Sequence, residues 1–519
     1  MPNFASQPSN MPSPKSCWQC AKRRLVCDLG KPGCKKCATH GVECPGYETK
    51  PLQWMQPGQT RSKGARKTER LRSSRRPVSQ SAKDKPTILR SGRTTPECSL
   101  PPKCSDREEA LAVHPMVTDK STFGLLIQAL NYHNINISPD LVATGDPSLN
   151  NPFMVAAGFA SVIPPVIAEV IICTALGHRM VQSVQSLEAD RNAMAVKLRR
   201  RRGAAIRAVA KDLSHQEAQW HDRTLISVVL LLLSEHSLSP SWWQHLDGAY
   251  SLIDLRGGLP NLIGSMPRQR HWFRYFFHID VFGATTAPCV DARRVQQQLS
   301  VVGHLKTLYG DGLLTSTPCP PELVSCIIFT NYIRSQPSNC FISLEDSYWP
   351  LQQILAFDPE AWASSLSLHK LQGSDPEDQH RQLPRSWSWA RIGRIYQSAV
   401  ALYCVESLGP PPELGHCDIR SAHREILLQE LRQLTNGSRN QLRKLVIWPM
   451  VIAGLVLDSN DQLSQDFVTK ELTWLSATLG TAAPLIARGL LRELWHSSAY
   501  SRHGRTWEDL FDRPYVFAI

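Results

Sequence analysis

The chain has 519 residues, more than the about 100 to 200 of a usual single domain, so several units or one large helical array are expected. Its net charge of +13 is unevenly placed: residues 1–100 hold 20 Lys and Arg against 6 Asp and Glu, whereas the other 419 residues hold 38 against 39. The basic N-terminal fifth predicts a polyanionic partner. The longest apolar run, residues 225–233, is about half of a membrane span, and no secretory segment is recognisable, so a soluble, non-secreted protein is expected.

In chain order, residues 1–16 are rich in Pro, Ser and Asn and are predicted to be a disordered tail. Six cysteines follow within 28 residues, at Cys17, Cys20, Cys27, Cys34, Cys37 and Cys44. The first three recur 17 positions later as the last three, so residues 17–47 consist of two related halves. The other nine cysteines are scattered, which is typical of a reducing compartment rather than of a disulfide framework.

Clustered cysteines at these spacings indicate zinc, which prefers four tetrahedral ligands and suits thiolates. Six sulfurs can fill the eight positions of two ions if two of them bridge, and the repeat favours Cys17 and Cys34, the first of each half. One ion would then have Cys17, Cys20, Cys27 and Cys34, and the other Cys34, Cys37, Cys44 and Cys17. Every position is filled, so no water can be activated. The sequence therefore predicts two structural Zn²⁺, which supply the folding free energy of a unit with almost no apolar core, and no catalytic residues.

The cysteine unit resembles the fungal zinc binuclear cluster, the six-cysteine DNA-binding domain of fungal transcription factors. The similarity extends to the basic run at residues 22–24, to Asp28, to Pro32 and to the Cys-Pro-Gly-Tyr ending at residues 44–47. A zinc knuckle for protein contacts and a six-thiol metal store are the alternatives, and the basic run argues against both. The resemblance implies a small domain with two short helices around a two-zinc cluster.

The two halves differ in their charge. Residues 22–24 are Lys-Arg-Arg, whereas the equivalent residues 39–41 are Thr-His-Gly, so the first half is expected to face DNA. The resemblance places the base-reading contact, usually to a CGG triplet in the major groove, at Arg23 and Arg24. Arginine can bind guanine O6 and N7 with two hydrogen bonds. Phosphate contacts are assigned to Lys22, Lys35 and Lys36. The alternative for any single cation is a solvated charge.

Residues 48–115 are polar, are interrupted by proline and carry basic clusters between residues 61 and 76, so a basic flexible linker is predicted. The clusters are interpreted as a nuclear localisation signal or an additional phosphate-binding arm, and the alternative is a solubilising linker. No apolar residues repeat there at heptad spacing, so a coiled coil is not supported. A dimer, if one forms, is expected through the C-terminal domain; otherwise a monomer binds one half-site.

From residue 116 onward apolar residues recur at helical spacing and convincing strands are absent, so residues 116–519 are predicted to be one large all-α domain. Helices are predicted at residues 123–133, 165–183, 220–233, 440–457, 463–480 and 483–498. Three more are predicted from apolar faces. One face is Leu246, Ala249 and Ile253, between a Ser239-Pro240 start and a Gly257-Gly258 stop; the others are Ile392, Ile395, Ala399 and Leu402, and Ala422, Ile426 and Leu434. Residues 369–385 are predicted to be a long exposed loop.

Residues 242–258 and 272–284 resemble recurrent helices of the fungal-specific regulatory domain that follows such clusters. The resemblance implies a helical regulatory domain across residues 116–519 that sometimes binds ligands or partners; simple helix packing is the alternative for each residue. No catalytic motif accompanies His245, His271 and His278, so core or surface roles are expected. For the charged run at residues 197–202, a solvated helix face is favoured over a nucleic-acid-binding role. For residues 507–512, a docked terminal helix is favoured over an activation segment.

Together these patterns predict a nuclear, sequence-specific DNA-binding transcription regulator of RNA polymerase II genes, and not an enzyme. The alternative is a DNA-bound structural scaffold of the centromere type built from the same domains. Double-stranded DNA is the predicted partner, and a membrane is not. A homodimer through the helical domain and a small-molecule or protein effector remain open at this point.

Overall fold

A computed structural model describes residues 17–23, 26–30, 33–42, 44, 120–142, 151–182, 188–214, 221–235, 242–309, 318–337, 344–366, 386–409, 416–436, 441–496 and 506–517. The chain divides into two compact units, Met1–Asp106 and Arg107–Ile519. The predicted tail at residues 1–16, the linker at residues 48–115 and the loop at residues 369–385 lie outside the described residues.

The N-terminal unit contains two short helices, α1 (Trp18–Arg23) and α2 (Lys35–Thr39). Each begins directly after the first cysteine of a Cys-x-x-Cys pair. The Cys17 and Cys34 sulfurs accept hydrogen bonds, each of 3.4 Å, from the backbone N–H three residues later. Helices of six and five residues are too short to be stable alone in water, so their stability must come from the cysteine cluster.

The described part of the second unit is helical and contains no strand. Its α-helices are α3 (Lys120–Asn136), α4 (Pro165–Gln182), α5 (Glu188–Leu213), α6 (Asp222–Glu235), α7 (Trp242–Leu255), α8 (Gly258–Ser265), α9 (Arg270–Thr285), α10 (Ala292–Val301), α11 (Leu305–Tyr309), α12 (Pro321–Arg334), α13 (Leu344–Ala356), α14 (Pro359–Ser365), α15 (Ser386–Leu408), α16 (His416–Thr435), α17 (Ile447–Leu455), α18 (Gln462–Leu479) and α19 (Ala483–His496). Many sequence neighbours pack against each other, including α3 with α4, α15 with α16 and α18 with α19. The predicted all-α class is confirmed.

The core of this unit is built around α9, α15 and α17. Every residue of α17 is buried, which agrees with its almost unbroken apolar sequence. The predicted faces of α7 and α15 are confirmed, since Leu246, Ala249 and Ile253 on α7 and Ile392, Ile395, Ala399 and Leu402 on α15 are all buried. A smaller second core joins α3 to α4, around Leu126, Leu130 and Ile172.

The face predicted for α16 is wrong. Ala422 and Ile426 are exposed, and the buried side chains are Leu427, Leu428, Leu431 and Leu434. Ile426 and Leu434 are eight residues apart, which places them about 80° apart around a 3.6-residue helix. The observed face instead follows spacings of three and four residues, which keep side chains on one side.

Two further predictions, about a helix stop and an uninterrupted helix, differ from the structure. Helix α7 ends at Leu255, before the Gly257-Gly258 stop, but Gly258 and Pro260 then begin α8 rather than a loop. Proline is tolerated in a first turn because the N–H it lacks would have no partner inside the helix. The helix predicted at residues 440–457 is divided into a 3₁₀ helix, Gln441–Leu445, and α17. The Ser239-Pro240 start lies outside the described residues.

The last described segment, residues 506–517, packs on α9, α7 and α12. The Trp507 indole N–H donates to the Thr285 carbonyl at 2.7 Å, and the Trp242 indole N–H donates to the Pro514 carbonyl at 3.4 Å. Arg334 forms an ion pair with Glu508 at 3.0 Å. This segment includes the 3₁₀ helix Trp507–Leu510, so the prediction of a docked terminal helix is confirmed.

The charged run at residues 197–202 lies on α5. Lys197, Arg199 and Arg200 are exposed, as expected for a solvated face, whereas Arg201 is partly buried and forms an ion pair with Glu169 at 2.8 Å. Within the described residues, no helix has both the length and the apolar character needed to cross a bilayer.

Candidate metal centre and nucleic-acid interface

The six cysteines of the N-terminal unit converge on one small volume. The Cys17, Cys20, Cys34 and Cys37 side chains are at most 2% exposed. Their sulfurs form two overlapping groups in which all ligand atoms lie within 4.8 Å of one another: Cys17, Cys20, Cys27 and Cys34, and Cys17, Cys34, Cys37 and Cys44. These are the two sets of four that the spacing repeat predicts.

The distances between sulfurs fit zinc coordination and do not fit disulfides. The Cys17–Cys34 sulfurs are 3.6 Å apart, and the Cys17–Cys37 and Cys20–Cys34 pairs are each 3.7 Å apart. A disulfide bond would need about 2.05 Å. Four sulfurs at about 2.3 Å from a tetrahedral zinc ion would be about 3.8 Å apart. The donor set and its spacing therefore suit two zinc ions.

The pattern of contacts distinguishes two of the six sulfurs. Cys17 belongs to the first pair but lies 3.7 Å from Cys37 in the second, and Cys34 belongs to the second pair but lies 3.7 Å from Cys20 in the first. Both are members of each group of four. These two sulfurs thus occupy the position between the sites, where the sequence places the bridging ligands.

The electrostatics of the cluster favour a bound cation. Burial raises the pKa of the Cys20 thiol and raises that of Cys37 to about 12, and hydrogen bonds with neighbouring thiols contribute to both increases. Bringing several thiolates together without a cation is unfavourable, whereas a divalent ion stabilises them and displaces their protons. A bound metal ion would therefore offset the repulsion between the thiolates, and its bonds to the sulfurs would stabilise this unit.

Asp28 has a structural role that the sequence did not reveal. Its carboxylate accepts hydrogen bonds from the backbone N–H groups of Lys35, at 3.0 Å, and Lys36, at 3.4 Å, which are the first two residues of α2. These hydrogen bonds, first that from Lys35, lower the pKa of Asp28. The anion also complements the positive end of the helix. An Asp seven residues before a predicted helix start gives no local capping pattern, so this contact was missed.

The predicted DNA-contacting residues are only partly described. Arg23 is exposed at the end of α1, and Lys35 and Lys36 are exposed on α2. Lys22 lies within α1, and Arg24 lies outside the described residues. The exposed side chains of Arg23, Lys35 and Lys36 lie outside the buried cysteine cluster. A thiol site and a polyanion-binding surface can therefore coexist in one small unit.

The histidines that could suggest a second metal site have packing roles. His271 lies against Phe153 and Trp272, with ring centroids 5.2 Å and 4.8 Å away. His278 is buried against Phe282 and Tyr309. Among the described residues, the groups able to hold a metal are the two cysteine groups, and no histidine belongs to either.

Comparisons with known proteins agree with this geometry. Residues 15–53 match the family model described as "Fungal Zn(2)-Cys(6) binuclear cluster domain", and residues 128–517 match that described as "Fungal specific transcription factor domain". The first match implies two structural zinc ions and DNA binding. The second covers most of the chain and confirms the predicted resemblance to the fungal-specific transcription factor domain.

Two curated relatives are named as transcriptional regulators. The chain is 27% identical over 529 residues to the "Phomenoic acid biosynthesis cluster-specific transcriptional regulator" of Leptosphaeria maculans. This alignment covers 97% of this chain and 89% of the relative. The chain is 48% identical over 42 residues to "Pestheic acid cluster transcriptional regulator 3" of Pestalotiopsis fici, which covers 8% of this chain and 7% of that protein. No solved structure matches the chain significantly.

The converging thiols, the all-helical second unit and the two family matches lead to one assignment. The chain belongs to the fungal-specific transcription factor family and carries the Zn(2)-Cys(6) binuclear cluster of that family's DNA-binding domain, so it is a transcription regulator and not an enzyme.

Proposed function

We propose that the protein binds CGG-type triplets in the major groove and regulates RNA polymerase II genes in the nucleus. The observation that carries this proposal is the asymmetry of the cysteine unit. One half ends α1 with the exposed Arg23 in a Lys-Arg-Arg run, while the equivalent positions of the other half are Thr39, His40 and Gly41. Arginine is suited to guanine, and Thr39, His40 and Gly41 offer no comparable cationic contact.

We further propose that the six cysteines hold two zinc ions, with Cys17 and Cys34 as bridging ligands. Arg23 and Arg24 are assigned to bases. Lys22, Lys35 and Lys36 are assigned to phosphates, which position the domain without reading sequence. Residues 17–47 would then form the DNA-reading domain, residues 48–115 the linker and residues 116–519 the regulatory domain.

The target genes are proposed from the relatives. Both are named as transcriptional regulators of a cluster, and the one named for a biosynthesis cluster aligns over nearly the whole chain. We therefore propose that this protein regulates a biosynthetic gene cluster, and that a homodimer, if one forms, is made through the helical domain. The centromere-type scaffold is the less favoured function, because the relatives are named as transcriptional regulators.

Binding-site selection from random DNA, with zinc-loaded full-length protein, tests the proposal. The selected sites are expected to contain CGG triplets, and their number and spacing will distinguish one half-site from two. Affinity should decrease steeply with salt, because phosphate contacts release counterions. Recovery of sites without a common triplet would contradict the base-reading assignment. Occupancy at a few structural loci instead of promoters would favour the scaffold.

A further inference from the structure

The helical unit contains an apolar cavity of about 380 Å³. It lies between α3, α4, α6 and α9 and is closed by residues that flank α17 and α18. Its apolar lining includes Ile137, Ile171, Leu230 and Trp272. Cavities that bind small molecules usually combine such walls with a few well-placed polar groups.

Three polar atoms on residues that line this cavity are buried without a hydrogen-bond partner. They are His133 Nδ1, His178 Nε2 and Thr481 Oγ1. Buried polar atoms in folded proteins are almost always paired, because an unmet hydrogen bond costs about 1–3 kcal/mol. Finding three of them around one cavity indicates that a molecule with its own polar group belongs there.

The hydrogen bonds already made by the two histidines define what that group must be. His133 Nε2 lies 3.0 Å from the Phe153 carbonyl, which can only accept, so Nε2 carries the proton. The Tyr132 hydroxyl donates to Gln182 at 3.3 Å, so its oxygen accepts from His178 Nδ1–H at 3.0 Å. In a neutral imidazole the second nitrogen is then a bare acceptor. Burial lowers the pKa of both histidines, which favours these neutral forms.

The charged groups of the cavity are already paired. Lys444 Nζ donates to Asp140 at 3.2 Å and to the Pro139 carbonyl at 3.1 Å. A carboxylate ligand would therefore meet a lysine whose charge is balanced, together with two imidazole acceptors that repel its lone pairs. A hydroxyl can donate to an imidazole acceptor and needs no counter-charge, so it fits both observations.

We propose that this cavity binds a neutral, mostly apolar small molecule whose hydroxyl donates a hydrogen bond to His133 Nδ1. A ligand that occupies the space between helices α3, α4, α6 and α9 stabilises their packing. The role of this ligand as an effector of transcription rests on the proposed function, whereas the binding of the ligand to the cavity does not. The class is defined by chemistry alone: an apolar body with a terminal hydroxyl.

The test uses zinc-loaded full-length protein and two probes of equal chain length, 1-decanol and sodium decanoate. Titration is followed by tryptophan fluorescence, because Trp272 lines the cavity, and by thermal unfolding. 1-Decanol is expected to bind saturably and raise Tm, and decanoate to bind at least tenfold more weakly. Absence of saturable 1-decanol binding, or tighter binding of decanoate, overturns the proposal.

Two variants locate the site. His133→Gln keeps an N–H for the Phe153 carbonyl but removes the Nδ1 acceptor, so 1-decanol should bind about fivefold more weakly. His304→Gln, at an exposed histidine, is the matched control and should leave affinity unchanged. Ile171→Phe narrows the cavity and should abolish binding while retaining the helical circular dichroism. Unchanged affinity in His133→Gln overturns the assignment. Triplet selection by the same protein is measured separately, so failure of the proposed function would be distinguishable.

Discussion

Arg23 and His40 occupy equivalent positions in the two halves of the cysteine unit, and both side chains are exposed. Arg23→Ala should lower affinity for a CGG site by about 10- to 100-fold, the range for losing a bidentate contact to guanine. His40→Ala is the matched control and should have little effect. Fluorescence anisotropy at one fixed salt concentration measures both. An equal loss on CGG and on scrambled DNA would show that Arg23 contacts phosphate and not base.

Asp280 is a buried carboxyl group on α9 that receives hydrogen bonds from Tyr250 at 2.6 Å and Gln298 at 2.9 Å. Burial raises its pKa to about 6. Below pH of about 3 the group is protonated in both folded and unfolded chains, because the carboxyl group of an unfolded Asp has a pKa of about 3.9. As pH rises toward 6 the unfolded chain ionises first, so the free energy of unfolding falls, by about 3 kcal/mol in total.

Asp280→Asn should therefore gain stability relative to the wild type between pH 4.5 and 7, since asparagine cannot ionise. Denaturant unfolding at a series of pH values measures this difference. Tyr250→Phe removes one hydrogen bond that favours the ionised carboxylate, so it should move the same transition to higher pH. A stability difference between the wild type and Asp280→Asn that is constant across this range would contradict the prediction.

At the scale of single elements, the end of α18 depends on the glycine that follows it. Gly480 has a φ of 59°, and a Cβ placed there would lie 2.3 Å from the ring of His178 on α4. This residue therefore ends one helix and lets another approach it closely. An alanine would be strained by its backbone conformation and would also displace the imidazole.

Gly480→Ala should lower the free energy of unfolding by about 2 kcal/mol or more. Gly489→Ala provides the contrast, because Gly489 lies within α19 with no atom near its missing Cβ, and should raise stability by about 0.5–1 kcal/mol. Chemical denaturation of both variants measures the two effects. Equal free energies of unfolding for the two variants would mean that α18 and α4 can move apart to accommodate the new Cβ without a loss of stability.

At the scale of the whole molecule, the chain consists of two units that are stabilised in different ways. The N-terminal unit depends on its cysteine cluster, whereas the helical unit has an extensive apolar core. The described helices of the first unit comprise six and five residues. Loss of metal should therefore remove DNA binding but little of the helical content.

Zinc chelation should abolish binding to CGG sites and leave the main thermal transition of the helical unit within about 2 °C of its original Tm. DNA binding and circular dichroism are measured on the same chelated sample, and added zinc should restore the binding. Loss of the main thermal transition on chelation would show that the two units do not fold independently.

The cysteine groups could be predicted from sequence because ligand number and spacing together decide which sulfurs meet. Helix packing gave less certain results. On α16, the residues three, four and seven positions after Ile426 are polar, whereas Leu427 begins an apolar stripe that continues at Leu431 and Leu434, so the predicted face was the wrong choice. The cavity was not predictable, because His133, His178 and Thr481 are distant in sequence and come together only in the folded unit. The Asp28 contact with α2 was missed because an Asp seven residues before the helix start forms no local capping pattern.

The docking of residues 506–517 has a consequence for how the protein is made. Trp507 and Pro514 contact residues 222 and 272 positions earlier in the chain. At a synthesis rate of about 5–20 residues per second, roughly 10–50 s separate the emergence of α7 and α9 from that of the segment that covers them. During this interval the nascent chain exposes aromatic surface around Trp242. Ribosome-associated chaperones are therefore expected to bind this surface until residues 506–517 have been synthesised and can cover it.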